Sequence, residues 1–159
     1  MPNIPETLDS LTHSKIRKNN EIKFLPSGGA SYKIRWQLLE EAEHSIHIAT
    51  FSMMKDETTK RLESILIAKL ATGVEVRIIL DEIVNRTTFA GAMIKRLKSA
   101  GAAIHGYNGL FDEWLPVAKH LTPSKHVARN LKLKLKRHFH EKYMVVDGRH
   151  VVLGGINWG

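Results

Sequence analysis

Two rhythms of apolar residues alternate through the first two thirds of the chain. Short runs rich in β-branched residues, SIHIATF at 45–51 and VEVRIILD at 74–81, predict strands, with Val74, Val76, Ile78 and Leu80 on one face of the second. Between them the spacing lengthens to three and four. Ile34, Leu38, Leu39 and Ala42 predict a helix over 31–43. Leu62, Ile65, Leu66 and Leu70 predict another from Asp56, as N-cap, to Thr72, with Gly73 as its stop. A third helix is expected after Thr88, striped by Phe89, Met93, Ile94 and Leu97 and ended by Gly101. Residues 21–26, with Ile22 and Phe24, and residues 103–107 read as further strands. The resulting order, β-α-β-α-β-α-β, predicts an α/β domain over 21–159, with a largely parallel or mixed sheet flanked by helices on both faces. Residues 1–20 read as a flexible arm with at most a short helical turn.

The last stretch is patterned differently. Residues 131–137 read LKLKLKR, a strict alternation that predicts a strand with one apolar and one basic face. Two uses compete for it: a surface that tracks phosphates or lipid headgroups, and a solubilising edge strand blunted by lysine. It leads into RHFHEKYMVVDG at 137–148, then VVL at 151–153 and GGIN at 154–157. His140 and Lys142 stand two apart, so on an extended segment an imidazole and an ammonium address one face. Neutral imidazole is a nucleophile that can attack phosphorus, and a fixed cation holds charge on phosphoryl oxygens. Asp147-Gly148 has the chemistry of a hairpin turn, which gives Asp147 a structural use beside any catalytic one.

Taken together, H-x-K-x4-D over His140, Lys142 and Asp147, followed by apolar strands and G-G-x-N, resembles the signature of the phospholipase D superfamily. Within it, the VVDG and GGIN runs look most like the cardiolipin synthase and phospholipase D-like branch. The resemblance is strong over 137–157 and extends weakly over about 20–158. It implies a phosphodiesterase or phosphatidyltransferase acting on phospholipid through a covalent phosphohistidine. It makes His140, Lys142 and Asp147 catalytic candidates and gives Lys142, Gly155 and Asn157 to the phosphate. No metal and no other cofactor is implied. The family pattern carries two such motifs, the second histidine protonating the leaving group, whereas this sequence holds one. A second motif is therefore expected from another chain or from a missing C-terminal half. The sequence stops two residues after Asn157, where the family continues into another helix and further strands. A domain incomplete at its C-terminus, inactive alone for want of the second motif, is accordingly the preferred reading.

Composition narrows the partners without choosing one. A net charge of +8 suits anionic membrane or nucleic acid. A metal-independent nuclease acting as a homodimer is thus the alternative enzyme, and a non-catalytic module binding anionic surfaces through 132–137 is the alternative outside catalysis. There are no cysteines, hence no disulfide or thiolate chemistry. No signal peptide or membrane span is visible, which favours a cytoplasmic or peripheral membrane location.

Other candidates are weaker. His13-Ser14-Lys15 with Asn20 imitates the motif but lacks the strand and the glycines. Ser27-Gly28-Gly29 can bind an anion at a helix N-terminus, although a plain turn is the simpler reading. Asp81 ends a strand where α/β sheets place their sites, yet a capping or turn role is preferred for it. His138 shares the parity of His140 and Lys142, which suggests a structural or tuning role at the same pocket; the remaining histidines show no metal-ligand spacing. Phe111, Trp114 and Leu115 lie in the irregular stretch 109–123, with core packing preferred over substrate contact.

Overall fold

The computed structural model describes residues 3–13, 15, 18–87, 91–107 and 138–159. Its centre is a five-stranded mixed sheet in the order β3-β2-β1-β4-β5. Strands β1 (Ser45–Thr50), β2 (Glu75–Asp81) and β3 (Ala103–Tyr107) are parallel. The hairpin of β4 (Tyr143–Val146) and β5 (His150–Leu153) adds antiparallel to the other side of β1, with Ile46 opposite Val146 and Ala49 opposite Tyr143. Among the described residues five helices accompany it: α1 (Ile4–Thr12), α2 (Gly28–Glu41), α3 (Glu57–Ala71), α4 (Glu82–Thr87) and α5 (Gly91–Ser99).

The crossovers fix where the helices lie. From β1 through α3 to β2, and from β2 through α4 and α5 to β3, the chain steps the same way along the sheet. Right-handed crossovers then put both connections on one face. Ile46, Ile48, Val76, Ile78, Leu80, Met144, Val146 and Val152 point into that face and form one core with Leu39, Leu62, Leu66, Met93 and Leu97 of α2, α3 and α5. Each fully buried aliphatic side chain contributes about 1.5–3 kcal/mol of transfer free energy. The opposite face carries His47, Arg77, His105, Tyr143, Val151 and Leu153, and among the described residues no helix covers it.

Local chemistry sets the element ends. Asp56 accepts the Thr59 amide at 2.9 Å, and the Thr59 hydroxyl accepts the Asp56 amide at 3.2 Å, a reciprocal cap for α3. Gly73, at φ +89°, stops the same helix. Val146 to Arg149 forms a tight turn in which Asp147 (φ 52°) and Gly148 (φ 62°) are both left-handed, and the Arg149 amide bonds Val146 at 3.0 Å. Asp-Gly suits this hairpin turn because both central positions need positive φ.

The observed order departs from the predicted one at the N-terminal end. Residues 21–26 are not a strand: Ile22 is 94% and Phe24 85% exposed, and among the described residues no strand pairs with them. Helix α2 starts three residues earlier than expected because the Ser27 hydroxyl accepts the Ala30 amide and caps it. A nine-residue helix, α1, replaces the loose arm over much of 1–20, with none of its residues buried. Helix α4 is an addition, six residues long and too short to show a period. The expected strand at 127–137, the irregular 109–123 and the Thr88 cap with Phe89 lie outside the described residues.

Candidate active site

The C-terminal ends of β1 and β2 are the place where crossover connections leave a sheet and ligands commonly bind. Three segments meet there. The first is Phe51 to Met53, leaving β1. The second is His138 to Lys142, entering β4. The third is Gly154 to Trp158, leaving β5. The Gly154 amide bonds the Lys142 carbonyl at 3.2 Å, the Trp158 amide bonds the Ser52 carbonyl at 3.3 Å, and the Met54 amide bonds the Trp158 carbonyl at 2.9 Å. His140, Lys142, Gly155 and Asn157 are thereby brought to one end of the sheet.

Their environments differ. His140 is exposed, with its ring 4.8 Å from the Phe51 ring between centroids. Lys142 is 7% exposed. Its Nζ donates to the His140 carbonyl at 2.8 Å and sits 5.2 Å from the Phe51 ring centre. Among the described residues it has no ion pair with a carboxylate. Burial lowers the Lys142 pKa, a shift opposed by the nearby Glu141. Among the described residues its ammonium makes one hydrogen bond, to the His140 carbonyl.

Asp147 is carried to the other end of the sheet. Five residues of chain separate it from Lys142, roughly 16 Å along a strand. Its carboxylate accepts the amides of Glu43 at 3.0 Å and of His44 and Ser45, both at 2.8 Å. Those bonds hold its pKa down at about 2. The geometry does not bring Asp147 to His140; it ties the β4–β5 turn to the start of β1.

Gly154 and Gly155 are not demanded by packing, since a Cβ on either meets nothing within 4 Å. Asn157 is half-buried, and its side-chain Oδ1 is buried with no hydrogen-bond partner among the described residues. Its main chain is firmly held from α2. The Tyr32 hydroxyl donates to the Asn157 carbonyl at 2.8 Å, and the Arg35 guanidinium reaches the same carbonyl at 3.4 Å and that of Ile156 at 3.0 Å. Arg35 is 3% exposed and lies 4.8 Å from the centre of the Trp158 ring. Burial depresses its pKa.

Asp81 and Asn85 complete the frame. Asp81 is fully buried; one carboxylate oxygen accepts the Val84 amide at 3.1 Å, and the other accepts the Phe139 amide at 3.0 Å and lies 3.1 Å from His138 Nδ1. The preferred capping role therefore holds for Asp81, and a second tie to the His140 segment comes with it. Asn85 accepts the Met53 amide at 2.8 Å and donates to the carbonyls of Phe51 and Asp81 at 2.8 and 2.7 Å. Tyr32, Arg35 and Asn85 carried no signal in the sequence, because each acts through main-chain atoms distant along the chain.

Comparisons with known proteins agree on the family. The family model described as "Cardiolipin synthase, PLD-like domain" matches residues 36–159. A cardiolipin synthase of Oceanobacillus iheyensis is 30% identical over 142 residues, which is 89% of this chain and 26% of that protein. Cardiolipin synthase B of Salmonella typhi is 27% identical over 89% of this chain and 30% of its own length. The major cardiolipin synthase ClsA of Bacillus subtilis is 26% identical over 92% of this chain and 27% of its own. The chain thus spans between a quarter and a third of the length of these relatives. Among solved structures, the phospholipase D family member Nuc from Salmonella typhimurium superposes with a TM-score of 0.56 at 18% identity, covering 80% of this chain and 64% of that one, a likeness of fold.

Proposed function

Since the chain belongs to the family of cardiolipin synthase, PLD-like domains, we propose that it cleaves or transfers a phospholipid phosphodiester through a covalent phosphohistidine on His140. The observation that carries this is the pairing of His140 with Lys142. An exposed imidazole and a buried ammonium, with no carboxylate on the ammonium among the described residues, stand side by side, the ammonium donating to the His140 main-chain carbonyl at 2.8 Å. A ring nitrogen of His140 attacks phosphorus, and Lys142 with the main chain at Gly155 and the amide of Asn157 holds the phosphoryl oxygens. Asp147 serves by fixing the strand that presents Lys142. A second motif, from another chain or another segment, belongs to this reading as a partner, as does an anionic membrane surface. The net charge of +8 suits nucleic acid equally.

The test is turnover in excess chelator, on a labelled anionic phospholipid and on labelled single-stranded DNA, with wild type beside His140→Ala. Turnover of the lipid that disappears in the variant, together with label trapped on the protein at His140 in wild type, is the expected result. Faster turnover of DNA replaces the lipid with nucleic acid. Label retained in the variant overturns the assignment of the nucleophile.

A further inference from the structure

We propose that Phe51 is a positioning residue of this site: its ring is an uncharged counterpart that holds the Lys142 ammonium and the His140 imidazole in place for an anionic phosphate. This role rests on His140 and Lys142 as the phosphate pair and adds a residue that lies outside the H-x-K-x4-D pattern.

The geometry centres on one ring. Phe51 is the first residue after β1 and is half-buried. Lys142 Nζ lies 5.2 Å from the ring centre, inside the roughly 6 Å reach of a cation–π contact. The His140 ring lies 4.8 Å away, tilted at 54°, and the His138 ring meets Phe51 edge-on, at 5.8 Å and 87°. Both separations are those of packed aromatic pairs. One side chain of β1's exit is thus in contact with the side chains at 138, 140 and 142 alike.

The ring is itself held in place. The Phe51 carbonyl accepts from Asn85 Nδ2 at 2.8 Å, and Asn85 Oδ1 accepts the Met53 amide at 2.8 Å. Asn85 is 1% exposed, so a buried amide sets the main chain from which the ring projects. The edge-on imidazole of His138 is tethered in turn, its Nδ1 3.1 Å from the buried Asp81 carboxylate.

A phenyl ring suits this place for an electrostatic reason. Lys142 is largely buried, and a cation drawn out of water needs a counterpart. A carboxylate would hold it more tightly, but it would cancel the charge and take the direction that a phosphoryl oxygen needs. The face of an aromatic ring attracts a cation through its quadrupole and carries no net charge. Among the described residues the hydrogen-bond partner of Nζ is likewise neutral, the His140 carbonyl. The ammonium is therefore fixed and still positive. For His140 the same ring supplies contact area without a polar group to engage its nitrogens, so the imidazole is oriented and stays available as a nucleophile.

The test is binding of orthovanadate, an analogue of the phosphoryl group, to the full chain, followed by NMR at the His140 ring and the Lys142 side chain. Phe51→Leu keeps an apolar side chain and removes the π face. It is expected to weaken vanadate binding about tenfold and to lower the Lys142 pKa, since a contact favouring the charged form is lost. Phe51→Tyr keeps the face and should stay within about twofold of wild type. Phe51→Met makes the first change again with a side chain that adapts to the space, and it decides the matter if Phe51→Leu does not fold. Lost affinity in Phe51→Leu and Phe51→Met with affinity kept in Phe51→Tyr supports the proposal. Wild-type affinity with an unchanged or raised Lys142 pKa in the first two overturns it, as do equal losses in Phe51→Leu and Phe51→Tyr. Lys142→Met separates this role from the reading beneath it. Vanadate binding abolished in Lys142→Met but intact in Phe51→Leu removes Phe51 and leaves the phosphate pair standing. Binding unchanged in Lys142→Met, or absent from the wild type, overturns the pair and the role of Phe51 with it.

Discussion

At the scale of single residues, the H-x-K-x4-D pattern combines groups with different physical tasks. Lys142 is a largely buried cation, and Asp147 is a clamp on three amides. Asp147 makes acid sensitivity predictable. Its folded pKa, about 2, lies below the unfolded value near 4. Its contribution is therefore complete above pH 4 and is lost as pH falls from about 4 towards 2. Asp147→Asn should remove this part of the acid dependence, checked by denaturant midpoints measured at pH 2, 3 and 5. An unchanged slope in the variant would show that the clamp is not what fails in acid. Gly155→Ala should keep the fold, because its Cβ meets nothing within 4 Å, and weaken vanadate binding by crowding the phosphate. The motif was legible in the sequence because its residues are neighbours there. The clamp's destination was not, since Asp147 and Ser45 are 102 residues apart and no local pattern reports such a contact.

Elements were legible in proportion to their length and regularity. Strands β1 and β2 are runs of β-branched residues, and α3 shows four turns of periodicity with a capping residue in front, so all three stand close to where the pattern put them. Residues 21–26 have a strand's composition but no partner among the described residues, and a strand exists only as part of a sheet. Two predictions belong at this scale. Asp56→Ala removes the cap of α3 and should cost about 1 kcal/mol in chemical denaturation. Arg35→Met sets opposed terms against each other. It relieves the burial of a cation but leaves the Ile156 carbonyl without its guanidinium donor and the Asn157 carbonyl with the Tyr32 hydroxyl alone, each effect amounting to about 1–3 kcal/mol. The melting temperature should change little while vanadate affinity falls about tenfold, some 1.4 kcal/mol. Unchanged affinity would mean that the Asn157 segment holds its place without α2.

Across the whole molecule, the sheet has two unlike faces. Val152 is 6% exposed and its neighbour Val151 is 56% exposed, on opposite sides of one edge strand. Val152→Ala should cost about 1.5 kcal/mol, at ~0.8 kcal/mol for each buried carbon removed. Val151→Ala should stay within about 0.5 kcal/mol. Equal costs would reveal cover on the second face. The buried carboxylate of Asp81 has a different consequence. The amides of Val84 and Phe139 belong to elements more than fifty residues apart, yet both end on this one side chain. Neither amide can be released to solvent by fraying of its own segment alone while the carboxylate stays in place. In deuterated water the two should therefore share one slow exchange rate, and Asp81→Asn should accelerate both together.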